Sequence, residues 1–330
     1  MQLRVLSRED VRQAVSMAEA IQIVEDAFIQ LSSGKAVVPI RTPIDIPRHH
    51  GTILFMPAYL SDSDAAGVKV VSVFPDNIRA GRPTISALVV INDATTGEPQ
   101  AVLDGSYLTA LRTGAASGVA TRWLSRKESS IVAIFGAGTQ GRTQLEAVCE
   151  VRNVYRVWVY DIARETAELF AEEMKQRGGR IPADVRVAAF PTEAVREADV
   201  ICTATTSRKP VFSHKDLKTG VHINGIGSFK PEMQEIDEIT ARSALIVVDS
   251  REAAWAEAGD LMIPRDKGLL NENDIYAEIG EIANRQKPGR VNDEQTTFFK
   301  AVGNAIQDIA VASFLLKKAN REGLGTIVEI

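Results

Sequence analysis

The chain has 330 residues, of which 45% are hydrophobic and 25% are charged, the composition of an ordinary globular protein. This length exceeds what one hydrophobic core usually supports, so we expect two domains. The formal net charge of −5 argues against a nucleic-acid partner, and no apolar stretch approaches the ~20 residues that span a membrane.

The first third of the chain combines helix and strand patterns. Two short helices are expected first, because Ser16 and Glu19 fit a capping box and apolar residues follow at helical spacing until Gly34. Strand patterns come next, with a hairpin turn at residues 93–97, and a helix rich in small residues ends this part. The predicted strands are Val38–Ile46, Thr52–Ala58, Gly67–Val73, Ile85–Asn92 and Gln100–Leu103, and the helix is Ser106–Leu124.

From Ser130 onward, strand and helix patterns alternate, which is typical of a doubly wound parallel sheet. We therefore expect an α/β protein with a Rossmann domain over residues 121–309 and an α+β domain built from residues 1–120 and 310–330. One long helix, Thr296–Ala319, is predicted to return to the N-terminal domain. The predicted strands are Ile131–Phe135, Arg156–Tyr160, Val185–Phe190, Val200–Thr203, His222–Ile226 and Ala244–Val248, with helices that include Ala163–Gln176 and Thr192–Glu197.

A glycine-rich turn follows the first of these strands. Gly136, Gly138 and Gly141 satisfy the pattern G-x-G-x-x-G, and residues 139–151 continue with helical periodicity. The first glycine permits a tight turn, the second lets the backbone approach a phosphate, and the third lets the helix pack on the strand. A strand, turn and helix N-terminus of this kind predict a pyrophosphate-binding loop.

An acid at the end of the next strand adds to this pattern. Asp161 lies 20 residues after Gly141, where dinucleotide-binding folds place a carboxylate for the adenosine ribose hydroxyls. The alternative is an aspartate that only caps the following helix. A carboxylate here would repel the 2′-phosphate of NADP, so Asp161 favours NAD. Arg164 softens that preference and leaves NADP possible.

The upstream domain contributes three notable cations. Lys69 lies between valines in a predicted strand, and a buried lysine there needs a partner, so it faces a carboxylate, a cleft or solvent. The simpler alternative is a lysine on the wet face of a sheet. Arg41 lies in a strand-rich segment, and Arg112 lies on the small-residue helix, where it could reach a carboxylate or phosphate or simply lie on the surface.

Two further segments lie at the ends of predicted strands. Residues 203–207 are rich in hydroxyl groups, and residues 222–228 contain two glycines before Ser228. Ligands of open α/β sheets bind outside the carboxyl ends of the strands, so both segments are candidates for the ligand-binding edge. Each on its own also fits an ordinary loop.

The remaining sequence features narrow the chemistry. No Ser-His-Asp spacing and no metal-ligand cluster occur, so we expect no bound metal. Cys149 and Cys202 lie in apolar stretches and are expected to be buried packing residues. The N-terminal segment lacks the apolar core of a signal peptide, so we expect a cytoplasmic protein without a membrane partner.

Together these residues resemble the ornithine cyclodeaminase/mu-crystallin family over essentially the whole chain. The resemblance implies a tightly held nicotinamide cofactor and a homodimer formed through the N-terminal domain, which also binds the substrate. Family members include ornithine cyclodeaminases, alanine dehydrogenases and reductases of cyclic ketimines. The matching segments are Phe55–Ala58, Gly67–Lys69, Gly81–Thr84, Leu111–Ala115, Gly136–Gly141, His222–Asn224 and Ala305–Asp308.

The resemblance also implies roles for individual residues. Lys69 resembles the catalytic lysine, which contacts the substrate and manages a proton at its nitrogen, and Arg41 resembles the cation that binds the substrate carboxylate. Two sets of positions resemble cofactor contacts. The nucleotide-loop and ribose positions are Gly136, Gly138, Thr139, Gln140, Gly141 and Asp161, and the positions at the nicotinamide end are Thr203, Ile226, Gly227, Ser228 and Val302. Thr84 and Arg112 also resemble cofactor-contacting positions, with Arg112 near the pyrophosphate or the active centre.

One position departs from the cyclodeaminases of the family, which carry an aspartate where this chain has Phe229. That acid transfers protons during loss of ammonia, and only Glu232 and Glu235 are nearby substitutes. We therefore predict an NAD(P)-dependent oxidoreductase that acts on the C–N bond of a small α-imino or α-amino acid. The alternatives are an ornithine cyclodeaminase and a non-enzymatic binding protein of the mu-crystallin kind.

Overall fold

The computed structural model describes all residues from 1 to 330. It divides into two compact units, one formed by Met1–Arg112 with Asn304–Ile330 and the other by Thr113–Gly303. The domain limits predicted from the sequence, at residues 120 and 309, fall inside two long helices. No helix is both long and apolar enough to cross a membrane.

The chain forms sixteen β-strands and eleven α-helices. The strands are β1 (Gln2–Leu6), β2 (Ala36–Val37), β3 (Thr42–Ile46), β4 (Gly51–Leu60), β5 (Ala65–Val73), β6 (Ile85–Asn92), β7 (Pro99–Asp104), β8 (Ile131–Phe135), β9 (Arg156–Tyr160), β10 (Val185–Val187), β11 (Val200–Thr203), β12 (His222–Gly225), β13 (Leu245–Val248), β14 (Ile275–Glu278), β15 (Thr297–Lys300) and β16 (Thr326–Glu329). The helices are α1 (Arg8–Ala14), α2 (Met17–Ser32), α3 (Gly105–Leu124), α4 (Thr139–Val151), α5 (Arg164–Arg177), α6 (Pro191–Glu197), α7 (Glu238–Ser243), α8 (Arg251–Glu257), α9 (Gly259–Asp266), α10 (Ile279–Ala283) and α11 (Ala305–Glu322).

The first unit is a mainly antiparallel sheet covered by helices. Its strand order is β16-β1-β7-β6-β5-β4-β2, and β3 pairs with β4. Helix α11 contacts α2 and strands β4, β5 and β6, so the predicted return of the last helix to the N-terminal part is confirmed. The predicted capping box of Ser16 and Glu19 is present at the start of α2, and its apolar residues Ile21, Val24 and Phe28 are fully buried.

The second unit is the predicted doubly wound sheet. All its strand pairs are parallel, in the order β10-β9-β8-β11-β12-β15-β13-β14. Strands β8, β11, β12 and β15 are buried along their whole length, because helices cover both faces of such a sheet. The order of the strands reverses between β8 and β11, the switch point at which ligands of such sheets bind.

Some predicted elements were wrong. The single helix Thr296–Ala319 is instead β15, paired between β12 and β13, followed by α11. Gly303, with a φ of 86°, separates the two elements, and the Asn304 side chain caps the new helix. Strands β1, β2, β14 and β16 were not predicted, because each is short; β1 and β16 pair with each other from the two ends of the chain. The strand predicted over residues 185–190 ends at Val187.

Candidate functional site

The glycine loop connects β8 to α4 and is shaped by close backbone contacts. A Cβ on Gly136, whose φ is 95°, would lie 2.5 Å from the Ala204 carbonyl oxygen, and one on Gly141 would lie 2.2 Å from the Gly136 carbonyl oxygen. A Cβ on Gly138 would meet no protein atom within 4 Å. Gly138 and Thr139 are exposed at the N-terminus of α4. The loop therefore fits a pyrophosphate, which could approach the open backbone at Gly138 and the helix N-terminus.

Asp161 ties the end of β9 to this loop. One carboxylate oxygen accepts a hydrogen bond from the Ala137 N–H at 2.9 Å, and the other accepts one from the Ala163 N–H at 2.9 Å. Each carboxylate oxygen has two acceptor sites, so capacity for ribose hydroxyls remains. The guanidinium of Arg164 is paired with Glu168 on α5 at 2.8 Å.

Five neighbouring strands of the second unit bring the remaining predicted cofactor positions to one edge. In sheet order, β9, β8, β11, β12 and β15 end in the segments that carry these residues. Thr203, Ile226, Ser228 and Val302 are buried, and the Val302 N–H donates to Asp249 at 3.1 Å. These strand ends carry, in that order, Asp161, Gly136–Gly141 with Thr139 and Gln140, Thr203, Ile226–Ser228 and Val302.

Neither acid near Phe229 is placed to replace the proton-transferring aspartate of the cyclodeaminases. Phe229 is half-buried and packs against the core of the second unit. Glu232 is exposed. Glu235 is fully buried, and its carboxylate accepts five hydrogen bonds, two from backbone and hydroxyl groups of Thr205, one from the Thr203 hydroxyl and two from the backbone at residues 227 and 228. Burial and the nearby Asp260 raise the pKa of Glu235.

A buried charge cluster lies in the first unit. Lys69 is on the covered face of β5, and its Nζ lies 2.6 Å from Oδ2 of Asp308 on α11. Arg112 Nε donates to the other oxygen of Asp308 at 3.1 Å, and Arg112 Nη1 donates to Gln307 Oε1 at 2.7 Å. Lys69 and Asp308 are 1% and 0% exposed, and Arg112 is 6% exposed. The surface alternatives for Lys69 and Arg112 are therefore wrong.

Sequence reasoning gave no role to Asp308, although its segment carried the family resemblance. The available signal was indirect. A lysine buried in an apolar strand requires a carboxylate, and Asp308 is the acid in the first turn of an amphipathic helix whose first turns are largely buried. The first turn also places that carboxylate near the positive end of the helix dipole.

The electrostatics of the cluster bear on proton transfer. Burial lowers the pKa of Lys69 to about 8. Asp308 opposes that change, while the positive charges of Arg112 and Arg41 add to it. Arg41 is half-buried. Lys69 and Arg112 thus share the single carboxylate of Asp308, and this excess of positive charge favours binding of an anion.

Thr84, the last predicted site residue of the first unit, lies just before β6. It is half-buried, and its carbonyl oxygen accepts a hydrogen bond from the Phe74 N–H at 2.8 Å. The first unit therefore contains Arg41, Lys69, Thr84 and Arg112, and the second unit contains all the other predicted site residues.

Comparison with known proteins identifies the family. The family model described as ornithine cyclodeaminase/mu-crystallin matches residues 1–323. The chain belongs to this family. It is 43% identical to a Δ1-pyrroline-2-carboxylate reductase of Bacillus cereus, over 98% of this chain and 99% of that protein.

Two solved structures of family members are similar over nearly the whole chain. The Δ1-pyrroline-2-carboxylate reductase of Thermococcus litoralis, in complex with NADH and L-proline, has a TM-score of 0.94 and 45% identity and covers 98% of this chain and 99% of its own. An archaeal alanine dehydrogenase dimer with bound NAD has a TM-score of 0.93 and 38% identity and covers 100% of both chains.

These similarities confirm the general predictions. The present chain is an enzyme, an NAD(P)-dependent oxidoreductase that acts on the C–N bond of small imino or amino acids. Its cofactor is a nicotinamide dinucleotide, in agreement with the open glycine loop.

Proposed function

We propose that this family member reduces a preformed cyclic α-imino acid, Δ1-pyrroline-2-carboxylate or a ring homologue, to the L-amino acid. The observation that carries the proposal is the buried Lys69–Asp308–Arg112 cluster. It contains a lysine that could donate a proton, and its two cations share one carboxylate. The 43% identity to a Δ1-pyrroline-2-carboxylate reductase supports this substrate class.

The substrate carboxylate supplies the negative charge that the cluster lacks. Arg41 is the proposed carboxylate-binding residue, because a guanidinium can bind both carboxylate oxygens through parallel N–H bonds. Its charge reaches the cluster, since it lowers the pKa of Lys69. A carboxylate bound there would place the adjacent imine of an α-imino acid in the neighbourhood of Lys69.

Lys69 is the proposed proton donor. A reduced nicotinamide, when bound, would supply the hydride for the imine carbon. The Lys69 ammonium donates its proton to the imine nitrogen, so the C=N bond becomes a CH–NH unit and Lys69 becomes neutral. Asp308 holds Nζ in place, and the lysine regains a proton from solvent before the next cycle. A pKa of about 8 suits this exchange near neutral pH.

The number of proton-transferring groups favours reduction of a preformed imine over the other reactions of the family. Reductive amination of pyruvate would first need ammonia addition and water loss, each with further proton transfers. Cyclodeamination needs an acid that Phe229 cannot replace. Glu235 is buried and bonded to five donors, and Glu232 is exposed on its loop.

In the proposed complex, NAD(H) is held by the second unit. Gly136, Gly138, Thr139, Gln140 and Gly141 would bind the pyrophosphate, and Asp161 would bind the adenosine ribose and disfavour a 2′-phosphate. Thr203, Ile226–Ser228 and Val302 would lie around the nicotinamide. The cofactor contacts of Thr84 and Arg112 stay predictions.

We also propose a cytoplasmic homodimer formed through the first unit. On the sheet face opposite Lys69, Phe55, Val70 and Leu88 are direct cross-strand neighbours. Phe55 and Leu88 are 36% and 53% exposed, an apolar row of the kind that subunit contacts cover.

The proposed cytoplasmic location is supported by two free, buried cysteines, Cys149 and Cys202, which fit a reducing compartment. The proposed interface can be tested directly. Leu88→Asp should convert the dimer to a monomer in light scattering, and an unchanged mass would contradict this interface.

A substrate panel tests the proposed reaction. We expect kcat/KM with Δ1-pyrroline-2-carboxylate or its six-membered homologue to exceed that with pyruvate plus ammonia by about 10² or more, the size of one general acid–base contribution. Ornithine with catalytic NAD should yield little proline. A higher kcat/KM with pyruvate plus ammonia, or robust proline formation, would contradict the proposal.

A further inference from the structure

A second group of buried charges lies in the second unit, and the proposed reaction does not use it. Glu235, Asp260 and Lys300 are each fully buried. Lys300 Nζ donates to Asp260 Oδ2 at 3.1 Å and to the Gly225 carbonyl oxygen at 3.0 Å. Asp260 Oδ1 accepts the N–H groups of Glu235 at 2.7 Å and of Ile236 at 3.0 Å.

The Glu235 carboxylate joins two loops that follow neighbouring strands. From the end of β11 it accepts the Thr203 hydroxyl at 2.9 Å, and from the loop that follows it accepts the N–H and hydroxyl of Thr205, both at 2.7 Å. From the turn after β12 it accepts the N–H of Gly227 at 2.7 Å and of Ser228 at 3.1 Å. One side chain thus satisfies donors of both loops.

The two loops are also packed against each other without spare room. A Cβ on Gly227 would lie 2.1 Å from the Thr205 carbonyl oxygen and 2.5 Å from Glu235 Oε1. The Ser228 hydroxyl donates to the Met233 carbonyl oxygen at 2.8 Å and accepts the Asp260 N–H at 3.2 Å. The conformation of the turn at residues 226–228 therefore depends on Glu235 and on the Asp260–Lys300 pair behind it.

We propose that Glu235 is a positioning residue for the nicotinamide half of the cofactor. It holds the loop after β11 and the turn after β12 in one conformation, and the Asp260–Lys300 pair fixes the backbone that carries Glu235. The inference rests on the proposed placement of the nicotinamide beside Thr203 and Ile226–Ser228. The adenosine and pyrophosphate half would rest on the glycine loop and Asp161, and the hydrogen bonds of the Glu235 carboxylate go instead to Thr203, Thr205 and the turn after β12.

Glu235→Gln separates these two halves. The amide nitrogen of glutamine cannot accept, so one of the two sets of donors around the carboxylate loses its acceptor. We expect the Kd for NADH, measured by fluorescence titration of the whole protein without imine, to rise about tenfold, as when charge-assisted hydrogen bonds are lost. The Kd for ADP-ribose, which lacks nicotinamide, should stay within about twofold of the parent value.

Asp199→Asn is the matched control. Asp199 is also a buried carboxylate of this unit, bonded to the N–H groups of Ser130 and Ile131 and to Arg126 and Lys218, but it lies at the opposite, amino end of β11. It should lower the melting temperature and leave the ratio of the two Kd values unchanged. If Glu235 had a purely structural role, Glu235→Gln would likewise lower the melting temperature and leave the ratio of the two Kd values unchanged.

Equal changes in both affinities, or an unchanged Kd for NADH in folded Glu235→Gln, would overturn the inference. If that variant does not fold, Thr205→Val decides, because it removes one hydroxyl donor and leaves the carboxylate. A selective weakening of NADH binding by a smaller factor would support the role, and unchanged NADH binding would overturn it. A parent protein that binds neither ligand would instead contradict the proposed function.

Discussion

The buried charged groups of the two units have different surroundings. In the first unit, Lys69, Arg112 and Asp308 are buried with an excess of positive charge, and the pKa of Lys69 is lowered to about 8. In the second unit, Glu235 and Asp199 are buried carboxylates that accept hydrogen bonds from backbone and hydroxyl groups and, for Asp199, also from two cationic side chains. The difference fits the proposal that proton transfer takes place in the first unit and cofactor binding in the second.

The largest expected effect comes from removing the proposed proton donor. Lys69→Ala should lower kcat/KM for imine reduction by about 10³, within the range of general acid catalysis, and leave the Kd for NADH nearly unchanged. Steady-state kinetics and fluorescence titration measure the two quantities. Lys35→Ala is the control, because Lys35 pairs with Asp62 on the surface of the same unit. A variant that retains near-parental activity would remove Lys69 from the mechanism.

The partner of the lysine should matter next. Asp308→Asn keeps a similar shape but removes the charge that raises the pKa of Lys69, so that pKa should fall further and activity at pH 8 should drop by about 10². Two buried cations without their carboxylate should also destabilise the fold, by about 3 kcal/mol. Kinetics as a function of pH and thermal unfolding check both effects. An unaltered pH profile would show that Asp308 does not set the proton affinity of Lys69.

The smallest effect is expected at the ribose position of the second unit. Asp161→Ala should reduce the preference for NADH over NADPH in kcat/KM by about tenfold, because the charge that repels a 2′-phosphate is lost. The imine KM at saturating cofactor should stay the same. Arg164→Ala is a useful comparison, since that residue is paired with Glu168 and should change the ratio less. An unchanged cofactor ratio in Asp161→Ala would take Asp161 out of the discrimination.

The two units also differ in how far the sequence predicted them. The glycine loop was predictable because Gly136, Gly138 and Gly141 act within one strand–turn–helix segment, and Asp161 follows at a fixed distance. The Lys69–Asp308 pair joins residues 239 positions apart, and no local pattern contains that information. Strand β15 was missed for the same reason, because its pairing with β12 and β13 decides its conformation.

The most direct test of the central claim is the pH dependence of kcat/KM in both directions. In the proposed mechanism the ammonium form of Lys69 is the donor in imine reduction, so this activity should fall as the pH rises through about 8, the pKa of Lys69. Oxidation of the cyclic amino acid needs the neutral lysine and should rise over the same interval. The predicted result is two opposite pH profiles of kcat/KM, one falling and one rising, with a shared transition near pH 8 that is absent in Lys69→Ala. Profiles without a transition there, or a transition that persists in Lys69→Ala, would contradict the account.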